Sequence, residues 1–241
     1  MTTRREFLGR VRAEMKKTSG LFPAATAARP PHPAEAAEAV RRQMAERWPE
    51  ALARFQQEFE RVAGVFHRAA TPAEVPAVIR TIAAERGARD LVTWDAAALG
   101  FDLGLAVLRE GLRVMPAPLG AEEPARQRHR ADASAAHLGV TGVDWALAET
   151  GTLVLVSGTG RPRSTSLLPE THVAVFGREA LVESLEQVGV LLEALHVDPD
   201  RSMSGAMINF ITGPSRTADI ELTLTRGVHG PKHVHAVFVE S

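Results

Sequence analysis

From Val62 onward, short apolar runs alternate with stretches of helical spacing, and this alternation restricts the fold more than any other feature. Gly64-Val-Phe-His67 reads as a strand. Thr71-Pro72 then opens a helix expected to run to Arg86, with threonine as N-cap and proline in the first turn, and Gly87 ends it. Leu91-Val-Thr-Trp94 is the next strand, a short helix at Leu103–Arg109 stops before Gly111, and Leu112-Arg-Val-Met115 is extended again. This βαβα order predicts an α/β fold with a parallel or mixed sheet covered by helices. The second half is denser in strands. Trp145–Glu149 and Thr152–Val156 flank Thr150-Gly151, which reads as a two-residue hairpin turn. Leu153-Val-Leu-Val156 is apolar on both faces, so it is expected to be a central, buried strand. Val173–Phe176, Ile208–Ile211 and Val234–Val239 complete the strands, with a helix over 179–195 between the first two.

The part before this alternation is helical. Phe7, Leu8, Val11 and Met15 share one side of a helix over residues 1–17, and an Ala/Pro-rich linker covers 18–34. From Ala34 to Val62, apolar residues recur at steps of three and four (Val40, Met44, Trp48, Leu52, Phe55, Phe59), a stripe expected to pack on the main domain. Pro49 is expected to kink this helix or to start a second one. The chain is thus divided into a helical arm with linker, 1–62, and an α/β domain, 63–241.

Composition removes whole classes of chemistry. The 241 residues include no cysteine, so no disulfide, thiolate-bound zinc or iron–sulfur cluster can come from this chain. A net charge of −1 offers no general attraction to nucleic acid or anionic membrane. The charged start lacks a secretory apolar region and no apolar run is long enough for a bilayer, so a cytoplasmic location is expected.

Four segments carry polar groups suited to chemistry. In Ala148-Glu149-Thr150-Gly151-Thr152, a carboxylate ends a strand where α/β folds place ligands, and it could act as base or nucleophile. Arg161-Pro-Arg163-Ser-Thr-Ser166 through His172 combines guanidinium groups with hydroxyls, a set suited to a carboxylate or phosphate. In Thr212-Gly213-Pro-Ser215-Arg216-Thr217-Ala-Asp219, a glycine turn after a strand is expected to open a short helix, with Arg216 closing an anion clamp. In Gly227-Val-His229-Gly-Pro231, two glycines shape a loop that could present the imidazole. His233 and His235 share a strand face with His229 nearby, but the spacing matches no zinc motif, and no metal is assigned. Gly158-Thr-Gly160 lacks the third glycine of a dinucleotide fingerprint, and a proline follows.

Taken together and in this order, Ala148-Glu-Thr-Gly-Thr-Leu-Val-Leu, Ser166-Leu-Leu-Pro-Glu-Thr-His, Gly213-Pro-Ser-Arg-Thr-Ala-Asp-Ile-Glu and Gly227-Val-His-Gly-Pro resemble the lactate utilization protein C family, the LUD domain. The resemblance is strongest from about Val140 to the end. It implies a three-layer α/β sandwich like that of the NagB/RpiA/CoA-transferase group, with a largely parallel sheet and here an N-terminal helical extension. It also implies a part in oxidising L-lactate to pyruvate beside partner proteins that carry iron–sulfur clusters, with no cofactor held by this chain. In that reading Glu149 and His229 handle a proton. Thr150, Gly151, Thr152, Arg163, Ser166, Gly213, Ser215, Arg216, Thr217 and Asp219 hold a small organic acid. A self-sufficient enzyme acting on a phosphate or CoA ester and a non-catalytic assembly factor are the alternatives. Thr150 stands where CoA transferases carry asparagine beside their glutamate.

Overall fold

The computed structural model describes residues 3–17, 31–101, 103, 111–119, 122–198, 207–218 and 224–240. The first half comprises α1 (Arg4–Lys17), α2 (Pro33–Arg61), β1 (Val65–Ala69), α3 (Val75–Glu85), β2 (Asp90–Thr93), α4 (Ala96–Leu99), β3 (Arg113–Pro116), α5 (Glu123–Ala135) and β4 (Leu138–Gly142). The second half comprises β5 (Trp145–Leu147), β6 (Thr152–Val156), α6 (Ser164–Leu167), β7 (Thr171–Gly177), β8 (Leu181–Val182), α7 (Leu185–Val197), β9 (Ile208–Ile211), β10 (Arg216–Ala218), β11 (Leu224–Arg226) and β12 (His233–Val239).

Six strands form one parallel sheet in the order β1-β12-β7-β4-β2-β3, as the strand–helix alternation requires. Side chains alternate between its faces with period two. Val173, Val175, Val237 and Val239 join Ile79 and Ile82 of α3 in one core. Ala174, Phe176, Val234, Ala236 and Phe238 point the other way, into a second core completed by α2 and by Leu153 and Leu155 of β6. β6 belongs to a separate four-stranded sheet, β8-β5-β6-β9, in which it is an interior strand buried along its whole length. The layers are therefore a helical face, the parallel sheet, and a face shared by helices and the smaller sheet.

The apolar stripe of α2 packs as expected, with Met44, Leu52, Phe55 and Phe59 buried in the core between the two sheets. Pro49 starts no second helix: one helix runs from Pro33 to Arg61 with Pro49 inside it, on its exposed side, and its buried residues hold it before and after that position. By contrast, Phe7, Leu8 and Val11 of α1 are exposed. The Ala/Pro linker from 18 to 30 and the expected helix after Leu103 lie outside the described residues.

Four local expectations are corrected. The β5–β6 hairpin pairs Leu147 with Thr152, so its loop holds four residues, Ala148 to Gly151, and not two. The leucines from 181 to 195 are divided between β8 and α7. Ser184 caps α7 by accepting from the Gln187 N–H, so a polar cap interrupts what periodicity alone reads as one helix. After Gly213 no helix opens: Arg216–Ala218 pairs antiparallel with Leu224–Arg226 as a two-stranded ribbon. Thr71 makes no side-chain cap, and Pro72–Glu74 forms a 3-10 turn ahead of α3.

Candidate functional site

Three of the four polar segments meet around the carboxyl end of α2. Gly151 has φ +62°, and a Cβ there would lie 2.3 Å from the Phe59 amide nitrogen, so the β5–β6 loop rests directly on the helix backbone. Gly213 approaches the same helix end, where a Cβ would lie 2.6 Å from the Val62 carbonyl oxygen. That carbonyl also accepts from the Arg216 guanidinium. The Thr150, Thr152 and Thr212 hydroxyls form a chain with Oγ1–Oγ1 distances of 2.7 Å at both links, which ties the first segment to the third. Ser215 ties the third to the fourth: its N–H donates to the Pro231 carbonyl at 2.9 Å, its carbonyl accepts from Gly227 at 3.0 Å, and its hydroxyl accepts from the His229 N–H at 3.3 Å. The His229 side chain is exposed beside this knot. Thr217 lies in β10 opposite Thr225, and Asp219 lies outside the described residues. Among the described residues no helix starts behind the Gly213 turn, and the carboxyl end of α2 presents the negative end of its dipole, so any anion would have to be held against that field by Arg216, the hydroxyls and backbone N–H groups.

The remaining predicted residues go elsewhere. Glu149 Oε2 accepts from the Leu185 N–H at 3.1 Å, which places the carboxylate on the amino end of α7. There it satisfies an amide that the helix itself cannot. Glu149→Ala is expected to cost about 0.5–1 kcal/mol of stability, read as a small shift in the urea midpoint; a loss of function without that shift would assign the carboxylate a chemical role. Arg163 is exposed ahead of α6, and the buried Ser166 hydroxyl donates to the Arg163 carbonyl at 3.0 Å. Ser166 therefore closes its own turn, away from the knot at α2. His172 is buried on β7, with Nε2 2.8 Å from the Thr141 hydroxyl, and burial pushes its pKa down to about 3. Among the described residues no group of three or more metal-ligating side chains converges, and no helix is long and apolar enough to cross a membrane.

A second constellation sits at the carboxyl ends of the parallel strands, where open α/β sheets form their ligand crevices. A cavity of about 340 Å³ lies there against Trp94, Gly142, Asp144, Arg161, Gly177 and Arg178. Asp144 lies two residues beyond β4. Its Oδ1 accepts from Arg161 at 2.8 Å and its Oδ2 from the Val156 N–H at 2.7 Å. Arg161 lies 5.3 Å over the buried Trp94 ring, and Arg178 lies 5.4 Å over Trp48. Sequence reading passed over Asp144 and counted Arg161 with Arg163 as a guanidinium suited to an anion, without a carboxylate partner. The available signal was an aspartate two residues beyond an apolar strand, the usual place for a polar residue that faces a crevice.

These layers define an α/β protein built on a parallel sheet, with polar loops at both sheet ends. A family model described as the LUD domain matches residues 52–239, and the chain belongs to that family. It is 37% identical over 163 residues to a lactate utilization protein C of Halalkalibacterium halodurans, covering 67% of each chain. A protein of the same name from a Geobacillus species is 35% identical over 67% of this chain and 66% of its own. One from an Exiguobacterium species is 43% identical over 43% of this chain and 44% of its own. The aligned stretches thus span about two thirds of these relatives or less. A crystal structure of a DUF162 family protein from Deinococcus radiodurans superposes with a TM-score of 0.54 at 20% identity, covering 80% of this chain and 98% of that one, and shares the fold.

Proposed function

We propose that the chain serves lactate utilization as the cluster-free subunit of an L-lactate oxidation system that includes iron–sulfur partner proteins. The observation that carries this reading is the knot at α2, which gathers three segments typical of the family from positions 150–152, 212–216 and 227–231. The names of the relatives support the pathway. The absence of cysteine supports a division of labour in which electrons leave on another protein. Oxidising a 2-hydroxy acid sends the hydroxyl proton to a base and the carbon's hydrogen with its two electrons to a two-electron acceptor carried by a partner protein, so the part of the site on this chain needs an anchor for the carboxylate and a base. Arg216 and the threonine hydroxyls supply the anchor, and His229 supplies the base.

Deletion of the gene should abolish growth on L-lactate as sole carbon source, and His229→Ala, produced at normal levels, should fail to restore it. The tagged chain purified from its native host should bring iron with it. Undiminished growth of the deletion strain would overturn the proposal. Growth restored by His229→Ala would remove the imidazole from the mechanism.

A further inference from the structure

The cavity at the carboxyl ends shares five lining residues, Val143, Asp144, Arg161, Arg178 and Glu179, with a larger one of about 1080 Å³ between α2 and α7. We propose that the two together form a binding site for an amphipathic monocarboxylate, distinct from the knot at α2 and independent of the lactate reading. The head group would sit at Arg161 and Arg178, and the apolar body would lie in the larger cavity.

The junction of the two cavities is polar and built. A guanidinium has five N–H donors, and the contact with Asp144 engages a single nitrogen of Arg161. With 31% of its side chain accessible, Arg161 retains donors for a ligand. Each oxygen of Asp144 accepts one hydrogen bond, from Arg161 and from the Val156 N–H, so this carboxylate is fixed in place and orients Arg161. The two tryptophan faces hold the guanidinium groups in place by cation–π attraction, which lowers the entropy lost when they close on a ligand.

Charge sets the ligand's valence. Arg41, Arg161 and Arg178 stand against Asp144, Glu179 and Asp198, and Glu240 on the rim is matched by Arg68 at 3.6 Å. A site so nearly neutral favours one negative charge over the two of a phosphate ester. The walls of the larger cavity set the body. Val40, Met44, Leu181, Val182, Leu191 and Leu195 line it, a surface that rewards apolar contact along a chain.

The test uses the full chain and linear carboxylates from acetate to decanoate, with decanol as the uncharged control. Binding is read by calorimetry and by tryptophan fluorescence, since Trp94 and Trp145 line the cavities. Affinity should rise about threefold per added methylene through the middle of the series, and decanoate should bind at least about tenfold more tightly than decanol, as one charge-assisted contact implies. Arg161→Gln should erase that preference and leave decanol binding unchanged. Ala194→Trp, which fills the larger cavity, should abolish the dependence on chain length and spare acetate. Should Arg161→Gln fail to fold, Arg178→Gln provides the same head-group test. Equal binding of decanoate and decanol, or affinity indifferent to chain length, would overturn the proposal. Neither outcome alters growth on lactate or the co-purification of iron.

Discussion

Phe55→Ala is expected to lower the free energy of unfolding by about 3–5 kcal/mol. Phe55 is fully buried where α2 meets both sheets, with its ring stacked on Phe59 at 5.4 Å and set edge-on to Phe176 at 5.3 Å and Phe66 at 6.3 Å. Truncation removes the area of an aromatic side chain from the core and leaves a cavity. Three rings on three different elements border that cavity, so it cannot collapse without moving α2 against the parallel sheet. The measurement is a urea titration followed by circular dichroism and fluorescence. The midpoint should fall while the slope holds, and the two probes should coincide. Phe55→Leu, which keeps most of the volume, should lose about 1–1.5 kcal/mol. A loss under about 1 kcal/mol for the alanine variant would mean that α2 is not part of the cooperative core. Two separate transitions in the wild-type protein would mean the same. The outcome bears directly on whether residues 33–61 should be grouped with α1 or with the α/β body.

The strand–helix alternation carried most of the fold because each parallel strand, buried on both faces, must be nearly continuous in apolar residues. β7 and β12 are legible for that reason, whereas β4, Leu138-Gly-Val-Thr-Gly142, is interrupted by two glycines and a threonine and does not read as a strand. Periodicity failed where two elements of different kind share one apolar residue type. Leu181 and Leu185 fit a helix equally well, yet one lies in β8 and the other opens α7. Sequence also could not assign β6 to a second sheet, since an all-apolar strand reads alike in the interior of either. The turn after Gly213 looked like a strand-to-helix junction because glycine, serine and threonine suit a helix start as well as a short antiparallel ribbon, and the pairing of Arg216–Ala218 with Leu224–Arg226 makes it the ribbon.

The candidate sites were legible in part and for a related reason. Glycine, threonine, serine and arginine mark irregular loops, so the three stretches that form the knot at α2 stood out. What joins them, the Thr152–Thr212 contact and the Ser215–His229 contact, spans 60 and 14 residues and could come only from the fold. Glu149 and Ser166 stood out equally, and their hydrogen bonds turn out to serve a helix end and a turn. Asp144 and Arg161 did not stand out as a pair, because a two-residue extension beyond β4 and an arginine 17 residues later acquire meaning only once the carboxyl ends of the strands are aligned.

Stability should fall by about 4 kcal/mol when the pH is lowered from 7.5 to 5. His172 and His235 are both buried, and burial is the main cause that pushes each down to about 3; for His235 the positive surroundings of His67, Arg86, His233 and His172 add to it. The unfolded chain takes up these protons near pH 6.5 and the folded chain only near 3. Between those values the unfolded state binds more protons, so stability is full above about 6.5 and declines as the pH falls. At pH 5 each histidine then contributes about 2 kcal/mol of loss. His67 and His129 are lowered by burial as well and act in the same direction. Glu170, lowered chiefly by its hydrogen bond from Lys232, titrates below this window and does not mask it. The packing makes the cost hard to avoid. His172 Nδ1 and His235 Nε2 have no hydrogen-bond partner, so a proton placed there enters an apolar interior unaccompanied. Urea titrations at pH 7.5, 6 and 5 measure the slope directly. His172→Gln, which can keep a contact with the Thr141 hydroxyl, should remove about half of it. A stability that stays level from pH 7.5 to 5 would mean that both imidazoles reach water or a counter-charge when protonated, and that the face of the sheet around β7 and β12 opens far more readily than its packing implies.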